Sequence, residues 1–174
     1  MIILQINVFK FTGLQNFGPI QEKLFMLIGK AFGYCNYEYQ QAIEEAVCNA
    51  ARYSIAGPAK ADITVKVRRM AYDIAVSVYA KTIKFDAKSY QKKLQSLLND
   101  PKVAAMDWGD SVGVSFDSSG FWYMLTGCEY IYVDSQGQGV TLVARTDRTK
   151  LVAKTTNIGQ LVPRFMVKQN GVIE

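Results

Sequence analysis

Apolar residues recur in this chain with two periods, two and three-to-four, and the changes between them mark its elements. From Ile2 to Phe11 they alternate well enough for a strand, and apolar residues at the intervening positions lead us to expect cover on both faces. Gly13 to Pro19 is a connection, with Pro19 suited to a first helical turn. Ile20, Leu24, Leu27, Ile28 and Ala31 then follow helical spacing, and Gly33 is placed to stop the helix. After Cys35 to Glu38 comes a second helix, Gln41 to Ser54, with Ile43, Ala46, Val47 and Ala50 as its apolar stripe. Ile55-Ala56-Gly57-Pro58 breaks regular structure.

Period two then takes over. Ile63, Val65 and Val67 alternate with Thr64, Lys66 and Arg68, and Ile74, Val76 and Val78 with Ala75, Ser77 and Tyr79. Met70 to Asp73 leaves room only for a tight turn, so an antiparallel hairpin is expected. Asp86 reads as the N-cap of a helix in which Tyr90, Leu94, Leu97 and Leu98 share a face, ended by Asn99-Asp100-Pro101. The stretch Val103 to Gly120 is long for a connection, and such connections tend to be lids or binding loops. Phe121 to Cys128 predicts a short apolar helix. Tyr130 to Asp134 and Val140 to Arg145 predict a second hairpin around the turn Ser135 to Gly139. The tail from Thr146 has no clear pattern. The order implies an α+β two-layer sandwich, with helices on one face of a mixed, mainly antiparallel sheet.

Composition narrows the chemistry more than the fold. The chain has 174 residues, a length that fits one domain. Its 20 % charged content is ordinary for a globular protein, and no apolar run reaches the length of a membrane span, so no membrane partner is expected. Met1 to Lys10 lacks a signal peptide's basic start and cleavage site, which gives a cytoplasmic expectation. Cys35, Cys48 and Cys128 are odd in number and lack C-x-x-C spacing, so they read as reduced thiols, with Cys48 packed in its helix. The absence of histidine removes Ser-His and Cys-His catalysis and histidine metal sites. A net charge of +5 can favour an acidic partner or a nucleotide, and a solvated basic surface accounts for it as well. Only Arg68-Arg69 and Lys92-Lys93 cluster, so a nucleic-acid partner is not expected.

The polar residues that ask for a reason are in the second helix. Gln41, Glu45 and Asn49 fall four apart and stand on one face, which Arg52 extends. Asparagine is a mediocre residue for a helix interior. A carboxylate one turn before it fits two readings: a metal ion with phosphate oxygens, or a solvated polar face.

The order of elements, the helix IEEAVCNAARYS and the block SGFWYMLTGCEYIYVDSQGQGVTLVAR resemble the bacterial anti-sigma-factor serine kinases. These belong to the ATPase superfamily of gyrase, histidine kinases and the mismatch-repair and heat-shock chaperone ATPases. The resemblance implies a histidine kinase-like ATPase domain of the Bergerat type over residues 1–145, with 146–174 as an extension. It implies ATP and Mg2+ as cofactors. Glu45 falls on the general base and Asn49 on the magnesium ligand of the family's E-x-x-x-N helix. Gly120 falls on its phosphate-loop glycine, and Gly139 and Thr141 on its closing Gly-Thr element. Ala80 stands where the family carries the aspartate that reads the adenine amino group, and Thr82 and Lys84 stand at its glycines. The implied function is an anti-sigma-factor-like regulator, either a serine/threonine kinase acting on an antagonist protein or a non-catalytic protein-binding module that has lost ATP binding. The implied partners are a sigma factor or an anti-sigma antagonist, with homodimerisation, since family members often pair.

Overall fold

The computed structural model describes residues 3–108, 119–147 and 156–168. A mixed sheet of six strands, in the order β1-β2-β3-β5-β4-β6, carries helices on the face where its aliphatic residues point. The strands are β1 (Ile3–Thr12), β2 (Asp62–Met70), β3 (Asp73–Ala80), β4 (Tyr130–Asp134), β5 (Gly139–Arg145) and β6 (Phe165–Lys168). The helices are α1 (Phe17–Phe32), α2 (Tyr37–Arg52), α3 (Ala87–Ser96), α4 (Pro101–Ala105), α5 (Ser119–Gly127) and α6 (Ile158–Leu161). All strand pairs are antiparallel except β4–β6. Among the described residues no helix is long and apolar enough to cross a membrane.

Both hairpins form where the period-two pattern put them, with Val67 opposite Val76 and Val133 opposite Val140. The residues that alternate inward, Ile63, Val65 and Val67 on β2 and Ile74, Val76 and Val78 on β3, are all buried. Helix α1 ends at Gly33, whose φ of 72° is open to glycine at little cost and whose N–H donates to the Gly29 carbonyl at 2.8 Å. Helix α2 starts at Tyr37, before the expected Gln41, because Asn36 caps it by accepting from the Tyr39 N–H at 3.1 Å. Tyr39 is fully buried and donates its hydroxyl to the carbonyls of Leu142 at 2.9 Å and Ile74 at 3.3 Å. That phenol ties α2 to two adjacent strands. Burial pushes its pKa well above the usual tyrosine value.

Three sequence expectations change. Strand β1, at the sheet edge, is not covered on both faces: Phe9 and Phe11 pack on the core, while Leu4, Ile6 and Val8 lie on the face away from the helices, with Lys66 and Arg68 opposite Val8 and Ile6, and are exposed. Pro101, expected only to stop a helix, is the first residue of α4, with Asp100 accepting from the Lys102 N–H at 2.9 Å. The unplaced tail supplies β6, which runs parallel to β4 and sets Phe165 beside Ile131, and Ile158, Leu161 and Val162 join the core. Arg164 binds this segment to α5, donating to the carbonyls of Leu125 at 3.1 Å and Cys128 at 3.0 Å. The middle of the long Val103–Gly120 stretch, residues 109–118, lies outside the described residues.

Candidate functional site

The C-terminal half of α2 forms one wall of a cavity of about 330 Å³. Ala46, Asn49, Ala50 and Tyr53 face it from that wall, and Phe121 and Met124 face it from α5. The segment 80–85 closes a third side and is stitched in place from both flanks. Toward α2, the Ile83 N–H donates to the Tyr53 carbonyl at 2.9 Å and the Ile55 N–H to the Lys81 carbonyl at 3.0 Å. Toward the β4–β5 turn, the Ala80 N–H donates to the Gln138 carbonyl at 3.1 Å and the Phe85 N–H to the Gln136 carbonyl at 3.3 Å. The Thr82 hydroxyl donates to the Gly137 carbonyl at 3.3 Å.

The turn itself is held by Asp134, whose Oδ1 accepts from the N–H groups of Gln136 at 2.8 Å and Gln138 at 3.1 Å. Gly137 has a φ of 72°, and a Cβ there would lie 2.5 Å from the Cβ of Phe85. Packing therefore demands glycine in this turn, with or without a ligand.

The residues singled out in the sequence are placed as follows. Asn49 and Gly139 line the cavity. A Cβ on Gly139 would lie 2.6 Å from the Tyr79 ring. Gly120 is buried one residue inside α5, and a Cβ on it would run into the Glu45 carboxylate, whose Cδ would be 2.8 Å away. Glu45 and Gly120 thus touch each other beside the cavity, and neither lines it. Thr141 is buried elsewhere. It alternates with Val140 and Leu142, which face the core, so it points to the other side of the sheet, sharing a hydrogen bond of 2.8 Å with Ser77. Arg52 donates to the Asn49 Oδ1 at a long 3.5 Å, too weak to fix the amide.

The wall is largely apolar. Phe85, Tyr90 and Phe121 form an aromatic cluster beside it, with ring centroids 5.4 Å apart for Phe85–Tyr90 and 4.9 Å for Tyr90–Phe121. Neither Asp nor Glu lines the cavity among the described residues, and Lys84 brings its one full charge. Asp86, close to that lysine, caps α3 by accepting from the Ser89 N–H at 3.0 Å and the Ser89 hydroxyl at 2.8 Å. Those hydrogen bonds, helped by Lys84, hold its carboxyl below the usual aspartate range.

Cys48 and Cys128 are poor nucleophiles. Burial, then the Glu45 charge, raises the pKa of Cys48, and burial pushes Cys128 far up. Among the described residues no group of three or more His, Cys, Asp or Glu side chains is placed to hold a metal ion.

The sequence pointed to Asn49 and Gly139 but not to Tyr53, Phe121 or Met124, because apolar residues in scattered segments carry no local mark of a shared cavity. The chain matches no protein-family model and no curated protein.

Proposed function

We propose that the chain is an anti-sigma-factor-like regulatory protein of the Bergerat type, which holds a ligand in the cavity beside α2 and acts by binding a sigma factor or its antagonist in the cytoplasm. One observation carries this reading: the cavity lies between the helix bearing Asn49 and the hairpin bearing Gly139, the two stretches on which the family resemblance rests. ATP with magnesium is the first ligand to test. The Asn49 amide oxygen would supply one magnesium ligand, the rest coming from phosphate and water.

Ligand binding fits the geometry better than phosphoryl transfer does, because Glu45 does not line the cavity. The Ala80 side chain offers no acceptor to an adenine amino group. A serine/threonine kinase is the second reading, favoured by Glu45 standing one turn from Asn49. In it, Glu45 would take the proton of the attacking hydroxyl.

Calorimetric titration of ATP with magnesium into the protein tests the first step, with Asn49→Ala as control. Micromolar binding lost in Asn49→Ala supports a working nucleotide site, and transfer to an antagonist that disappears in Glu45→Gln supports the kinase. No heat at millimolar ATP removes both nucleotide readings and leaves the protein-binding module.

A further inference from the structure

We infer that the cavity beside α2 takes a small ligand with an aromatic body and a single negative charge, an aromatic carboxylate or sulfonate. This rests on reading that cavity as the ligand site.

Size comes first. At about 330 Å³ the space falls at the low end of ligand pockets, enough for a fused two-ring body. The wall then selects the body. Phe85, Phe121 and Met124 offer ring faces and a polarisable thioether, and Val78 and Val140 close the sheet side. A sugar-like ligand would lose more than it gained, because the wall is largely apolar and few polar side chains face the space.

Charge selects the rest. A cationic ligand would give up water without meeting a carboxylate in the wall. The carboxylates nearby stand outside the wall: Asp134 holds the turn through Oδ1, Asp86 caps α3, and Glu45 lies over Gly120. Lys84 stands in the wall as a counter-charge for one anionic group, and the Asn49 amide offers a hydrogen-bond donor. A single lysine, shared with Asp86, suits one negative charge better than the several of a triphosphate.

The probe is naphthalene-1-sulfonate, compared by calorimetry with the matched cation 1-naphthylmethylammonium. The sulfonate is expected to bind one-to-one at sub-millimolar concentration, with the cation at least about tenfold weaker. Ala50→Trp, which fills the space, should abolish binding. Lys84→Glu, on an exposed residue beside the Asp86 cap, should weaken it about threefold or more while lowering the melting temperature only slightly. If Ala50→Trp does not fold, the cation and Lys84→Glu decide.

Equal binding of the two probes, or sulfonate binding that Lys84→Glu leaves unchanged, overturns the inference and points to a surface such as the exposed Leu4–Ile6–Val8 stripe. Competition separates it from the nucleotide reading. Sulfonate displaced by ATP with magnesium supports both. Sulfonate that millimolar ATP does not displace supports the inference and removes the nucleotide, and ATP binding without sulfonate binding does the reverse.

Discussion

The two halves of α2 do different work, and α5, which crosses both, shows how. Beside the N-terminal half, a Cβ on Gly127 would meet the backbone carbonyl of Glu38 and come within 3.0 Å of the Ala42 Cβ. Beside the C-terminal half, a Cβ on Gly120 would meet the carboxylate of Glu45 instead. Both glycines let the helices approach closely, but the obstacle at one end is main chain and at the other the tip of a flexible side chain. The first half carries Tyr39, fully buried and bonded to two strands. The second carries Glu45, Asn49 and Tyr53, half-buried or exposed, beside the cavity. Stability should therefore be concentrated at the N-terminal half and binding at the other.

The largest expected break is Tyr39→Ala. It removes a ring packed edge-on against Phe32, centroids 5.7 Å apart, together with a buried hydroxyl donor. We expect a loss of about 3–5 kcal/mol in urea unfolding, the range for deleting a buried aromatic. Gly127→Ala comes next. The Glu38 carbonyl cannot swing aside, so α5 must shift on α2, at about 1–3 kcal/mol by the same measurement. Tyr39→Phe keeps the ring and removes only the hydroxyl, and should cost about 1–2 kcal/mol. A smaller loss for Tyr39→Ala than for Gly127→Ala would contradict the assignment of Tyr39 as the anchor of this half.

The N-terminal half was the less legible of the two in sequence, although it is the more structural. The stripe Ile43, Ala46 and Val47 is readable from its spacing, but the helical state of Tyr37 and Glu38, within the expected connection Cys35 to Glu38, and of Tyr39 depends on the Asn36 cap and on a tertiary bond from Tyr39. Spacing likewise gave both hairpins, since register between neighbouring strands is a local matter. It could not give the parallel β4–β6 pair, a four-residue strand whose partner lies 34 positions away at Ile131 and Phe165. Nor could it show that β1 lies at an edge, which depends on what else pairs with the sheet. At the site, Asn49 was conspicuous as an amide inside a helix, whereas Phe121 and Met124 looked like any core residues. Gly120 was legible as a special position, but contact with Glu45 accounts for it in the described residues without a phosphate.

Gly120→Ala sharpens the contrast within α5. The Glu45 carboxyl can rotate away, so the change in stability should stay within about 1 kcal/mol, below that of Gly127→Ala. In a Glu45→Ala background the obstacle is gone, and the same substitution should become neutral or favourable by up to about 1 kcal/mol, the helix-propensity gain of alanine over glycine. The two positions should therefore fail to add in a double-mutant cycle. Additive effects would mean that Glu45 does not fill the space over Gly120 in solution.

Asn49→Ala gives the smallest stability change and the sharpest functional one. Among the described residues its amide makes only the long contact with Arg52, while alanine is the better helix former. Thermal unfolding should show a protein equal to the parent or more stable by up to about 0.5 kcal/mol. The cavity, however, would lose an amide that can both donate and accept a hydrogen bond. Weaker binding of the cavity ligand at undiminished stability is the signature of a residue kept for binding. A drop of more than about 1 kcal/mol would instead place Asn49 with Tyr39 among the residues that hold α2 in place, and the division between the two halves would fail.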